Sequence, residues 1–227
     1  INLIEYIVTR YRHTRIMTDN MRAPHSFVFG RMAQILMSEK NKLVCDDVIN
    51  RLELTANQTI LEIGPGDGYT LSLILRQQPQ AVFAVEISTQ FIKTLTKKFG
   101  NTITLIGKDA RDLSAEINSE SIDRIVSINA IQFLAPLPAY LNEVKRLLKP
   151  DGLALFACKF AIAKNMHPDI ACNTDIPLIT QQMQALDFIV THKIIDNDDS
   201  YARYELFTLR KKATRTRNRT ATLATSL

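Results

Sequence analysis

Apolar positions along the chain follow two patterns. Short, nearly unbroken apolar runs occupy Thr59–Ile63, Ala81–Glu86, Ile103–Gly107, Ile122–Ile128 and Leu153–Cys158. Between them, at Thr70–Gln78, Ser88–Phe99 and Pro138–Leu148, apolar residues recur every three or four positions. The runs suit strands covered on both faces, and the spaced segments suit the helices that cover them. Ser88 stands where a helix N-cap is favoured, and Lys149-Pro150-Asp151-Gly152 reads as a turn closing the helix before it. A further helix is predicted over Asp175–Leu186. Phe188–Ile195 and Tyr201–Leu209 read as two closing strands, joined by the polar loop Asp196–Ser200 as a hairpin.

This alternation predicts an α/β fold: a Rossmann-like, doubly wound seven-stranded sheet, mostly parallel with an antiparallel C-terminal hairpin strand. Ahead of it, residues 1–42 read as an N-terminal helical arm or lid, broken at Ala23-Pro24-His25. The core domain is expected over 43–210, its first helix carrying Leu43, Val44, Val48, Ile49 and Leu52, and a tail over 211–227. In such sheets ligands bind beyond the carboxyl ends of the strands, so functional residues should follow strands directly.

Composition narrows the class. The chain has 227 residues, 46% hydrophobic and 22% charged, which suits one well-cored domain and excludes collagen-like, disulfide-scaffold and disordered classes. No apolar run approaches the ~18 residues of a membrane span. The first twelve residues run from apolar to basic, the reverse of a secretory signal, and without an initiator Met further residues are expected upstream. Cys45, Cys158 and Cys172 are scattered, as expected of reduced thiols in a cytoplasmic protein, and no Cys or His pair has metal-ligand spacing, so no metal is expected. The formal charge of +5 belongs to the tail: six of the 28 basic residues lie between Arg210 and Arg219, and the other 22 face 23 acids. The segment after Lys212 has the composition of a disordered, solvated stretch.

Chemistry concentrates at the first strand-to-helix turn, Leu61-Glu62-Ile63-Gly64-Pro65-Gly66-Asp67-Gly68-Tyr69-Thr70. Glycines there permit a tight turn and close approach of backbone to a ligand. A dinucleotide fingerprint would place its third glycine at position 69, which is Tyr, so a nicotinamide-dependent oxidoreductase is disfavoured. The strand also ends in an acid. Glu62 would repel a pyrophosphate and attract an ammonium.

The Glu62–Gly68 motif resembles the first motif of the class I S-adenosylmethionine-dependent methyltransferases, and residues 43–210 resemble that family. The local forms Ser127–Phe133 and Leu147-Leu148-Lys149-Pro150-Asp151-Gly152 resemble its small type-11 group. The resemblance implies a cofactor site made of Glu62, Gly64, Pro65, Gly66, Gly68, Glu86, Ile87, Asp109, Ala110 and Asn129. Glu62 would help hold the methionyl amino group, Glu86 both ribose hydroxyls, and Asp109 with the Ala110 amide the adenine edge. Asn129 and its loop would border the transferring methyl. Nucleic-acid amino-group methyltransferases usually carry a proline-shaped loop ending in an aromatic there. This chain has Asn129-Ala130-Ile131-Gln132, which disfavours a nucleic-acid partner and favours a small-molecule acceptor. The stretch His25–Met32 loosely resembles one preceding the core in some small bacterial members, without the glycine at Phe27. Candidate acceptor contacts are Phe27, Phe29, Tyr69, Phe133 and His167. His13, His25 and His167 are conceivable bases, with His192 less suited inside a strand; no base is assigned, because a sulfonium is already an activated electrophile. A nucleic-acid or protein methyltransferase, or a cofactor-binding module without catalysis, remain alternative expectations.

Overall fold

The computed structural model describes residues 3–25, 28–196 and 203–212. Helices α1 (Leu3–Tyr11), α2 (Arg15–Arg22) and α3 (Phe29–Arg51) precede the sheet. Then follow β1 (Thr59–Ile63), α4 (Tyr69–Leu75), β2 (Ala81–Val85), α5 (Thr89–Phe99), β3 (Thr104–Ile106), β4 (Ile122–Ile128), α6 (Leu137–Leu147), β5 (Leu148–Cys158), α7 (Phe160–Ala163), α8 (Ile176–Ala185), β6 (Phe188–Ile195) and β7 (Tyr204–Lys211). Seven strands form one sheet in the order β3-β2-β1-β4-β5-β7-β6. β1 to β5 pair in parallel, while β7 runs antiparallel to both β5 and β6. The expected Rossmann-like, doubly wound sheet with its antiparallel C-terminal hairpin strand is therefore the observed one.

Alternate residues of each strand enter different cores. Leu61, Ile125, Ala154, Phe156 and Phe207 pack with Leu141 and Val144 of α6 and with Met183 of α8. Ile60, Val126, Leu155 and Leu206 pack with Val44 and Val48 of α3, Leu71 and Ile74 of α4 and Leu95 of α5. Two buried faces explain why the strands read as continuous apolar runs. Capping follows local rules. The Ser88 hydroxyl accepts from the Phe91 amide, and the Asp175 carboxylate accepts from the Leu178 amide at 3.0 Å. Asp175→Ala is expected to cost about 1 kcal/mol, read as a lower urea midpoint with unchanged slope.

Three local features differ from the sequence reading. First, α3 runs unbroken through position 42, where the arm was expected to meet the core. No Gly or Pro interrupts the segment between Gly30 and Arg51, so arm and core share one helix. Second, the Lys149–Gly152 turn lies within β5: Leu148 pairs with Ile122 and Leu153 with Arg124, with a register shift between them. The turn chemistry holds, but pairing resumes on either side of it as a bulge. Third, β7 starts at Tyr204. The expected loop residues 197–200, Tyr201, Phe27 and the tail from 213 lie outside the described residues. No helix among the described residues is long and apolar enough to cross a membrane.

The chain passes from β1 outward to β2 and β3, then crosses back to β4 on the other side of β1. That reversal opens a crevice beyond the carboxyl ends of β1 and β4. The arm is fastened above this end of the sheet. Arg15 bridges to Asp169 at 2.9 Å, the His167 amide donates to the Thr18 hydroxyl at 2.8 Å, and the Ser88 hydroxyl donates to the Pro24 carbonyl.

Candidate active site

One cavity lies at the crevice. Its walls include Glu62, Gly64, Pro65 and Gly66 after β1, Glu86 and Ile87 after β2, Asp109 and Ala110 after β3, and Asn129 after β4. Nine of the ten expected cofactor residues are thus gathered around one space. Gly68, the tenth, is not in the wall. It caps α4 at φ +78, and a Cβ there would lie 2.4 Å from Phe99 and 2.7 Å from Leu95, so its glycine serves close packing against α5. Gly64 and Gly66 also have left-handed φ, and a Cβ on Gly66 would meet only ordinary contact with Phe91.

Glu62 ends up only 1% exposed because its strand neighbours enter the two cores. Burial pushes its carboxyl up to about 8, against a side-chain hydrogen bond with Thr70; Asp67 and Glu86 add repulsion. Its Oε2 is buried and has no hydrogen-bond partner. A buried acceptor among other acids is costly until a cation arrives. Glu86 is differently held. Its Oε1 accepts from the Ile87 and Ser88 amides, each at 2.9 Å, and Oε2 accepts from the Gly66 amide at 3.3 Å. Burial nonetheless raises its pKa, against the lowering by these amides. Three of a carboxylate's roughly four acceptor positions are therefore taken, so gripping two hydroxyls requires one amide bond to loosen.

Asp109 accepts from the Arg111 amide and Nε through Oδ1 and from the Tyr140 hydroxyl through Oδ2. Burial, with Asp109 as hydrogen-bond partner, pushes the Tyr140 phenol up to about 12, so it stays a donor. Asn129 adopts a left-handed φ of 53. Its Oδ1 accepts from the Lys159 amide at 2.9 Å, while its Nδ2 is buried and has no partner.

Of the expected acceptor contacts, Tyr69 and Phe133 line the cavity. The Tyr69 hydroxyl donates to Asp46 of α3 at 2.9 Å. Phe29 opens α3, and Phe27 lies outside the described residues. His167 is absent from the cavity wall. Its Nδ1 accepts from the Asp169 amide, which turns the ring back onto its own loop, and only its backbone reaches the arm. Met21, Arg22, Asn41 and Cys45 line the cavity without having been expected there. They come from α2 and α3, and no local motif marks which residues of a folded-back arm face the sheet. Burial pushes the Cys45 thiol up to about 12, so it is not a nucleophile near neutrality.

Residues 61–156 match a family model described as a methyltransferase domain. Over this stretch the chain is similar to methyltransferase domains. Malonyl-[acyl-carrier protein] O-methyltransferase of Laribacter hongkongensis is 28% identical over 153 residues, 62% of this chain and 51% of that one. Ribosomal RNA small subunit methyltransferase A of Clostridium botulinum is 33% identical over 110 residues, 47% of this chain and 38% of that one. The chain thus spans about half or less of these relatives. Among solved structures, phosphoethanolamine N-methyltransferase 2 of Haemonchus contortus superposes with a TM-score of 0.64 at 13% identity, covering 82% of this chain and 58% of that one. A methyltransferase from Aquifex aeolicus gives 0.57 at 13% identity, covering 73% and 88%. These likenesses are of fold.

The cavity has residues that fit S-adenosylmethionine. The partnerless Oε2 of Glu62 suits the ammonium of the methionyl end. Gly64 and Gly66 carry no side chain into the β1 turn, and Glu86 and Asp109 stand on successive strand tips around the same space.

Proposed function

We propose that the protein transfers a methyl group from S-adenosylmethionine to a small-molecule acceptor. One observation carries this reading: Glu62, Glu86 and Asp109, from three different strand tips, wall a single cavity in which Glu62 has a buried, partnerless oxygen. When bound, the cofactor supplies a methyl group on a positively charged sulfur. The chain's own residues do the rest. Glu62 holds the ammonium, Glu86 takes ribose hydroxyls, and Asp109 with the Ala110 amide faces adenine. Met21 and Arg22 of α2 cover the cavity and Phe133 and Leu134 flank it, keeping water from the reacting atoms. The near-neutral body supports a small molecule over a nucleic acid, whose phosphates call for clustered cations.

Calorimetry with S-adenosylhomocysteine tests the cofactor assignment. Glu86→Ala is expected to weaken binding at least roughly tenfold, as loss of charge-assisted hydrogen bonds implies. Gly66→Val should abolish binding while the protein stays folded. Unchanged affinity in both variants refutes the assignment. Tight binding with no methylated species formed from labelled cofactor in any cell extract would replace the enzyme with a binding module.

A further inference from the structure

We infer that the methyl acceptor is an oxygen anion, of the carboxylate class and joined to an apolar chain, and that the Asn129 side-chain amide positions it. The inference rests on the cofactor reading above and adds the acceptor to it.

The orientation of the Asn129 amide is determined by its surroundings. The Lys159 backbone N–H is a donor, so the atom facing it at 2.9 Å must be Oδ1. Nδ2 is consequently directed away from the Lys159 amide, and Asn129 itself lines the cavity. This nitrogen is buried and donates to nothing. A buried donor without an acceptor is costly, and the left-handed φ at this position is one that Asn accepts readily. Such a cost persists where a ligand completes the arrangement. An amide facing a target amine would have to present its oxygen, but here that oxygen is already used. What Asn129 offers is a donor, and a donor selects an oxygen lone pair.

The loop that carries Asn129 is braced rather than adaptable. The Gln132 side-chain amide donates to the Asn129 carbonyl at 2.8 Å, and the Cys158 thiol donates to Gln132 Oε1. Asn173 donates to the carbonyls of Ile131 and Leu134. The donor direction is therefore preset. Ile128, Ala130, Phe133 and Leu134 make the adjoining wall apolar, and Met21 closes it from α2. Arg22 stands in the same wall, its guanidinium paired with Asp19 at 3.2 Å, so an entering anion would share that cation with Asp19. The competing negative charges are largely engaged: Glu86 by three amides, Asp109 by Arg111 and Tyr140, and Glu62 by the ligand ammonium.

The chemistry closes without a base. A carboxylate oxygen forms the new bond to the methyl carbon as the carbon–sulfur bond breaks, and that bond's electron pair stays on sulfur. The negative oxygen becomes an ester oxygen, the positive sulfur becomes a neutral thioether, and no proton moves. None of the described residues lining the cavity is a histidine, and this transfer needs none.

Octanoate and octylamine are the probes, titrated into protein saturated with S-adenosylhomocysteine. Octanoate should bind at least tenfold more tightly than octylamine. Asn129→Ala should weaken octanoate by a factor at least tenfold larger than any weakening of S-adenosylhomocysteine. Asn129→Asp should invert the preference between the probes. Equal or tighter binding of octylamine overturns the inference. So does a loss of S-adenosylhomocysteine affinity in Asn129→Ala as large as the loss for octanoate, because the amide would then serve the cofactor's own carboxylate. Failure of the cofactor assignment is distinguishable, since wild-type protein would then not bind S-adenosylhomocysteine at all.

Discussion

Gly68→Ala is expected to destabilise the fold by about 3 kcal/mol without touching the cavity. Two effects add. The residue sits at φ +78, where a side chain costs about 1 kcal/mol or more. The new methyl would also lie 2.4 Å from Phe99 Cε2 and 2.7 Å from Leu95 Cδ2, both on α5, and relieving such overpacking costs about 1–3 kcal/mol. Leu95 is wholly buried, so it cannot simply swing into solvent. Gly66→Ala is the control. It shares the left-handed φ but its methyl would meet Phe91 at 3.9 Å, so only the backbone cost of about 1 kcal/mol remains. Urea unfolding should separate the two variants by about 2 kcal/mol. Equal stabilities would mean that α5 can move away from the glycine turn, contrary to the packing described.

The affinity for S-adenosylhomocysteine should rise as pH rises through 8 and fall only once the ligand amine deprotonates. In the empty cavity Glu62 titrates at about 8, because burial and the nearby acids disfavour its charge. The ligand's ammonium requires the ionised form. Below pH 8 binding must therefore expel a proton from Glu62, and affinity falls as pH falls, by roughly tenfold or more between pH 8 and pH 6. At higher pH the ligand amine, a free amino-acid α-amine that titrates above a peptide N-terminus, loses its own proton, and affinity falls again. Glu62→Gln should bind more weakly at pH 8 and lose the acid limb. The same carboxyl bears on stability with a definite sign. Its folded pKa lies above the ordinary 4.5, so the stabilisation it provides without ligand is complete below about pH 4.5 and is lost as pH rises through 8. Calorimetry in buffers of different ionisation enthalpy counts the released proton directly. An acid limb that survives Glu62→Gln would transfer the role to Glu86, whose carboxyl burial also raises.

Much of this architecture is legible along the chain because its causes are local. A strand covered on both sides must be apolar throughout, so Thr59–Ile63 and Ile122–Ile128 announce themselves to the residue. Ser88 and Asp175 cap helices through bonds spanning three residues, and glycines mark the β1 turn because left-handed backbone favours them. The acids at strand tips could be picked out for the same reason, since sheet topology sends successive strand ends to one edge. Other features depend on contacts between distant residues. That a side chain at Gly68 would strike Phe99 and Leu95 is a matter of where α5 lies. That His167 turns away while Arg22 and Cys45 face the cavity follows from how the arm folds back, held by Arg15–Asp169 and by the His167 amide on Thr18. The direction of the Asn129 amide depends on an N–H thirty residues later, on the neighbouring strand's end. Periodicity and turn chemistry record what a residue does to its own backbone; which face it shows to a partner far along the chain is set by packing, and no short pattern encodes that.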